Sequence, residues 1–103
     1  MVDMLSLLRQ ARTMQEQVKQ LQETVGQELF EGFAGQKHVQ VVLNGKYEVK
    51  KISIDPSMLQ AIEASQLEIL IQAAFNQASD LVRERLKSEM SKITGGLGSL
   101  GLF

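Results

Sequence analysis

The chain contains no cysteine, no tryptophan and only one histidine among its 103 residues. Without cysteine, disulfides, thiol nucleophiles and thiolate metal sites are excluded. His38 begins a predicted strand beside Lys37 and is interpreted as a surface residue, and the scattered acidic side chains suggest no ligand pair. Catalysis needs converging nucleophiles, acid/base groups or metal ligands. The sequence therefore predicts a protein that is not an enzyme, with no metal, cofactor or small-molecule substrate.

Long apolar runs are also lacking, and the charge is nearly balanced. No stretch approaches the roughly 18 apolar residues of a membrane span, and the amino terminus lacks the basic and apolar segments of a signal peptide. We therefore expect no membrane partner and a cytoplasmic location. The formal net charge is −1. A protein with this charge can bind nucleic acid only through local groups of basic residues.

The first quarter of the chain has the periodicity of an amphipathic helix. Its apolar residues recur at alternating steps of three and four, which is the heptad pattern of a helix that buries a narrow stripe against another helix. The flanking positions are glutamines rather than charges, so the stripe suits self-pairing or docking on another helix of the same fold. Gly26 ends the pattern. The apolar stripe consists of Met4, Leu7, Ala11, Met14, Val18, Leu21 and Val25.

Strands are predicted next. Residues 27–35 form a weak candidate strand, and residues 38–54 form a β-hairpin rich in β-branched residues. Asn44-Gly45 is typical of a two-residue type I′ turn, with both residues at positive φ and Leu43 opposite Lys46. In that register one face of the hairpin covers the helices. The other face keeps apolar residues that a partner chain could cover.

Two helices follow the hairpin. Asp55-Pro56 is typical of a strand-to-helix junction and opens a short helix through about Ile62. Ser65 and Glu68 have the spacing of a capping box at the start of a long helix, which Gly95-Gly96 ends.

The predicted fold class is α+β. It comprises a long amino-terminal helix, a three-stranded antiparallel sheet with an Asn-Gly hairpin, a short helix and a long carboxy-terminal helix. We expect one domain over residues 1–94 and a flexible Gly/Leu tail over residues 95–103.

Basic side chains remain as candidate functional residues. The chain has eleven, on the sheet and on both long helices, and a dimer doubles them. Phosphate contacts give sequence-independent affinity, and a two-fold dimer can present paired basic helices to a duplex. Part of the pattern also fits a solvated helix face, because Glu84 with Lys87 and Arg85 with Glu89 are spaced for intrahelical pairing.

Three stretches of the sequence together resemble the YbaB/EbfC family. They are Leu43-Asn44-Gly45, the run from Lys50 to Leu59 with its Ile-Asp-Pro motif, and Ala73-Ala74-Phe75-Asn76-Gln77-Ala78. The glutamine- and methionine-rich first helix is similar too, so the resemblance covers about residues 7–90. It implies a two-fold homodimer with projecting helical arms that bind double-stranded DNA in the bacterial nucleoid.

The matched motif positions are interpreted as turn, cap and core residues, so DNA contacts are expected from the basic residues of the helices. These candidate DNA-binding residues are Arg9, Arg12, Lys19, Arg83, Arg85, Lys87 and Lys92. The alternative function is a dimeric protein-interaction adaptor without direct DNA contact. The acidic isoelectric point of about 5.8, the uncharged glutamine flanks of the stripe and the apolar tail favour that alternative.

Overall fold

The computed structural model describes residues 3–98, and among them the side chains of residues 3–95. Helix α1 (Met4–Gly26) precedes three strands, β1 (Leu29–Ala34), β2 (Val39–Asn44) and β3 (Val49–Ile54). The short α2 (Met58–Ala61) and the long α3 (Ala64–Gly98) follow. This order confirms the predicted fold class. The molecule is elongated, measuring 70 × 23 × 17 Å along its principal axes.

The buried residues of helix α1 lie in its carboxy-terminal part. Leu21 and Val25 of the apolar stripe are buried, whereas Met4 is 77% exposed at the other end of the stripe. Asp3 caps the first turn by accepting a hydrogen bond from the Ser6 N–H at 2.7 Å, which lowers the pKa of its carboxyl group. The amino-terminal half of α1 is therefore left uncovered by the described part of the chain and forms an exposed arm.

The core lies between α3 and one face of the sheet, whose strand order is β1-β2-β3. Alternate residues of β2 point at α3, where small residues four positions apart let the helix approach closely. Gly32 of β1 is part of this contact, since an added Cβ there would lie 1.9 Å from the Ala74 carbonyl oxygen. The buried core residues are Val39, Val41, Leu43, Ala74, Ala78 and Val82.

The hairpin is present, but the type I′ turn predicted for it is wrong. The Asn44 side chain organises a longer loop, with its Oδ1 accepting from the N–H groups of Lys46 (2.8 Å) and Glu48 (3.0 Å). Positive φ occurs at Tyr47 (63°) and not at Asn44 or Gly45. Gly45 is needed for space instead, because an added Cβ would lie 2.0 Å from the Val25 carbonyl oxygen of α1.

The longer loop also changes the register of the hairpin. Leu43 pairs with Val49 rather than lying opposite Lys46, and Val42 pairs with Lys51. The intervening Lys50 is therefore an extra residue, and β3 contains a β-bulge at this point. Val49 consequently lies on the α3 side of the sheet, whereas the register of a two-residue turn would place it on the opposite side.

Both predicted boundaries of α3 are also wrong. The capping side chain is Gln66, whose Oε1 accepts from the Glu63 N–H at 3.1 Å, and the helix already begins at Ala64. At its other end α3 passes through Gly95 and continues to Gly98. A helical glycine costs only about 1 kcal/mol relative to alanine, which is too little to end an established helix. Residues 99–103 of the predicted tail lie outside the described residues.

Candidate nucleic-acid interface

The seven predicted DNA-binding residues lie in two groups on the two long helices. Arg9, Arg12 and Lys19 are exposed on α1, at a helical spacing that keeps them within about 80° of arc and about 15 Å of length. The α3 group lies on the second half of that helix and consists of Arg83, Arg85, Lys87 and Lys92. Arg85 and Lys92 line a groove between the two helices with Gln17 of α1, whereas Lys19 borders a different depression, which α1 lines with Met14 and Val18.

Arg85 is held by two carboxylates. Its Nε and a terminal nitrogen each donate to Glu28 at 3.0 Å, and its other terminal nitrogen donates to Glu89. The hydrogen bonds to Glu28, and next those to Glu89, raise the pKa of Arg85 above its ordinary value. Because Glu28 lies between α1 and β1, Arg85 joins that junction to α3. Its charge is already compensated, so a phosphate would have to compete with a bidentate contact.

Two other α3 cations have partners on the same helix. Arg83 donates to Asp80 at 2.7 Å, and Lys92 donates to Glu89 at 3.0 Å. The pKa of Glu89 is lowered by Lys92 first and by Arg85 second. Ion pairs made by exposed arginine and lysine side chains are weak in water, so phosphates can replace these carboxylates at little cost. The remaining candidates form no ion pair among the described side chains: Arg9, Arg12, Lys19 and Lys87.

The spacing of charges predicts these ion pairs only in part. The expected pair between Arg85 and Glu89 is present, whereas Glu84 and Lys87 form none within the described part of the chain. The contact between Arg85 and Glu28 spans 57 positions, so no local spacing could indicate it.

The single histidine belongs to a polar cluster at the start of β2. His38 Nδ1 lies 2.8 Å from Asp55 Oδ2, and Asp55 Oδ1 accepts from both the N–H (3.0 Å) and the hydroxyl (2.9 Å) of Ser57. The Ser57 N–H and next the His38 ring lower the pKa of Asp55. A nucleophilic triad has the imidazole between serine and carboxylate, whereas here the carboxylate is in the middle. The cluster joins β2, β3 and α2 and cannot activate Ser57.

Four lysines of the sheet region lie outside the predicted DNA-binding set. Lys51 faces away from α3, since its partner Val42 alternates with Val41 and Leu43, which face the helix. Lys37 lies on the same side, with its Nζ 5.8 Å from the centre of the Phe33 ring. The other two, Lys46 and Lys50, line a depression with Leu29 and Asn44. The adjacent lysines at 50 and 51 are visible in the sequence as a basic pair. The bulge that places both on one side of the sheet cannot be predicted from the sequence.

Other kinds of site find no support in the described part of the chain. No three histidine, aspartate or glutamate side chains there lie close enough together to hold a metal ion. No helix there is long and apolar enough to cross a membrane.

These features define an elongated α+β protein with an exposed basic helical arm. A model of the YbaB/EbfC DNA-binding family matches residues 1–97, and the chain belongs to this family. The predicted resemblance is thereby confirmed.

Relatives of similar length cover almost the whole chain. A nucleoid-associated protein of Thermoanaerobacter pseudethanolicus is 42% identical over 98 residues, which are 95% of this chain and 88% of that protein. Another, from Afipia carboxidovorans, is 39% identical over 102 residues, covering 99% and 97% of the two chains. The crystal structure of an uncharacterized protein from Helicobacter pylori shares the fold with a TM-score of 0.80. It is 24% identical, and the match covers 90% of this chain and 98% of that one.

Proposed function

We propose that this chain is a nucleoid-associated protein of the bacterial cytoplasm that binds duplex DNA as a homodimer and catalyses no reaction. The observation that carries the proposal is the match of residues 1–97 to a DNA-binding family. Two relatives, 42% and 39% identical, are named nucleoid-associated proteins. The exposed basic residues of both helices provide a physical basis for contact with phosphates.

The contacts to DNA are mainly electrostatic in this proposal. Arg9, Arg12 and Lys19 lie on one face of the α1 arm, and no carboxylate of the described chain pairs with them. Lys87 adds a cation on α3 that pairs with no described carboxylate, and the exposed side chains of Arg83 and Lys92 can exchange carboxylate for phosphate. Arg85 contributes least, because its guanidinium already donates to Glu28 and Glu89.

The homodimer is proposed to form along β3. This strand lies at the edge of the sheet, where backbone groups are available to pair with another strand. On its α3 side, Ile52 is 50% exposed and Val49 is 47% exposed, because α3 packs mainly across β1 and β2. A second copy placed against β3 would cover both side chains and supply the additional layer that a small domain lacks.

A mobility-shift titration at several salt concentrations tests DNA binding. The variant Arg9→Ala, Arg12→Ala, Lys87→Ala should bind more weakly than the wild type. It should also lose roughly 0.9 from the slope of log affinity against log salt for each phosphate contact removed. The matched control is Gln10→Ala, Gln22→Ala, which changes exposed neutral residues of α1. Wild-type affinity and slope in the triple variant would contradict the helix contacts. Failure of the wild type to bind any duplex at low salt would overturn DNA binding itself.

Light scattering after size-exclusion chromatography tests the dimer. Ile52→Lys should convert the dimer to monomer, because it places two charges at the two-fold contact. Leu59→Lys, at a 59% exposed position of α2, should leave the dimer intact. A monomeric wild type at micromolar concentration would contradict the dimer, and a dimeric Ile52→Lys variant would contradict its location at β3.

One observation favours the adaptor as a second candidate function. The tip of the α1 arm carries Met4, Leu5, Leu7 and Leu8, which are 54–77% exposed in the described chain. An exposed apolar cluster of this kind is typical of a protein contact. Pull-downs with and without nuclease distinguish the two functions, because partners captured through DNA disappear after nuclease treatment. Partners that persist and are lost with Leu7→Ser, Leu8→Ser would favour the adaptor.

A further inference from the structure

The outer face of the sheet, meaning the side turned away from α3, has an unusual concentration of lysine. Strict alternation along β3 would place neighbouring residues on opposite sides of the sheet. The bulge at Lys50 breaks this alternation. Lys51 faces outward opposite Val42, while Lys50 lines the depression that also contains the outward-facing Leu29 and Asn44. Two consecutive lysines are thus available on one surface, which is how bulges re-aim side chains.

The segment of residues 37–54, which contains β2 and β3, has a higher formal charge than the segment of either long helix. Residues 37–54 contain four lysines and one acidic residue, a formal net charge of +3. The same count gives +1 for α1, with three basic and two acidic residues, and zero for α3, with four of each. None of the four lysines forms an ion pair with a described side chain. Three described acidic residues lie near these lysines: Glu31 flanks Val42 on the same row, Glu23 borders the depression, and Glu48 Oε1 accepts from the Asn44 Nδ2 at 2.8 Å.

We propose that the outer face of the sheet binds the phosphate backbone of DNA, as a second contact surface in addition to the helices. The inference rests on the proposed DNA-binding function and names a further surface for it. Lysine ammonium groups attract phosphates as point charges and do not select bases, so the contact is independent of sequence. Lys46 contributes less than the others, because its stem lies against Gly26 at the end of α1.

A protein partner fits this surface less well than phosphate does. Lysine is depleted in the cores of protein interfaces. Packing the face on a second copy would bring the lysines of both chains together without enough acidic groups to compensate them. Ile52 and Val49 are exposed on the α3 side of β3, whereas Lys50 and Lys51 lie on the outer side. The two sides of this strand therefore suit different partners.

The test compares three variants in the salt titration with a random-sequence duplex. Lys50→Gln, Lys51→Gln removes two charges at exposed positions. Lys50→Arg, Lys51→Arg keeps both charges. The matched control, Gln60→Glu, Gln72→Glu, lowers the net charge by the same two units at exposed positions of α2 and α3. We expect the glutamine variant to bind more weakly and to lose roughly 0.9 from the salt slope per contact removed. The arginine variant and the charge control should keep most of the wild-type slope of log affinity against log salt.

Several outcomes would overturn the inference. The glutamine variant could keep the wild-type slope while the variant Arg9→Ala, Arg12→Ala, Lys87→Ala binds weakly. This result would refute the sheet surface as a DNA contact but would not contradict the proposed function. An equal loss in the charge control would show that only net charge matters. A change in oligomeric state in the glutamine variant, detected by light scattering, would assign the lysines to a subunit contact. No binding of duplex by the wild type at low salt would refute the proposed function together with this surface.

Discussion

Replacing Gly32 by alanine tests the close contact between β1 and α3. The added Cβ would lie 1.9 Å from the Ala74 carbonyl oxygen and 2.7 Å from the Ala78 nitrogen. Ordinary contact at such a position begins at 3.4 Å, so strand and helix must separate by about 1.5 Å, the difference from 1.9 Å. Both opposing atoms are backbone, and no side-chain rotation can relieve the clash.

The cost should lie at or above the upper end for an overpacked core, about 3 kcal/mol. For a domain of this size that corresponds to a fall in Tm of roughly 12 °C or more. Circular dichroism melts at one fixed protein concentration measure it, since dimer formation would make Tm depend on concentration.

Gly95→Ala is the matched control for the same chemical change. Apart from the neighbouring helix backbone, no described atom lies within 4 Å of a Cβ added there, and the residue is exposed within α3. Alanine should therefore stabilise the protein by up to about 1 kcal/mol through its helix propensity. A Gly32→Ala protein that melts within about 2 °C of the wild type would refute the described packing of β1 on α3.

Three further substitutions test other parts of the fold. Leu43→Ala in the core should cost about 2–5 kcal/mol in urea unfolding, whereas Leu59→Ala at an exposed site should change stability by less than about 0.5 kcal/mol. Asn44→Ala should cost about 1–3 kcal/mol, because the N–H groups of Lys46 and Glu48 lose their acceptor; a neutral result would contradict the side-chain-organised loop. Asp55→Asn should lower Tm most at neutral pH. The folded-state pKa of Asp55 is depressed, so its contribution is complete above the unfolded value of 3.8 and disappears as the pH falls through the folded value. A Tm difference that stays constant down to acidic pH would contradict this assignment.

The order of elements could be predicted because each one is specified by local sequence. The apolar stripe of α1 and the β-branched residues of β2 have distinct periods, and Asp55-Pro56 marks the junction between β3 and α2. Even β1, predicted only weakly, is present over Leu29–Ala34. Local propensity and the tertiary structure agree in these segments.

The turn and the helix ends depend on interactions that a local pattern does not specify. Asn44-Gly45 favours a two-residue turn, but the Asn44 carboxamide binds two backbone N–H groups of a longer loop, and Gly45 lies against α1. At the other end of the chain, Gly95 is accommodated within α3. In each case a modest local preference is outweighed by the surrounding structure.

The sequence offers a set of basic candidate residues, but it does not indicate which of them are held in ion pairs. The sequence indicates Arg85 as a phosphate ligand. In the structure its guanidinium donates two hydrogen bonds to Glu28, which is distant along the chain. Lys50 and Lys51 look like residues of opposite faces until the bulge is known. Long-range pairing and strand register therefore determine which of the basic residues are available.

The most direct test of DNA binding is the salt dependence of wild-type affinity for a duplex of random sequence. With a net charge of −1, the chain can attract DNA only where its cations are locally concentrated. Affinity should therefore be measurable at low salt and fall linearly on a log-log plot, with a slope of roughly −0.9 for each phosphate neutralised. Absence of binding at low salt, or an affinity that does not change with salt, would contradict phosphate contact as the basis of this protein's function.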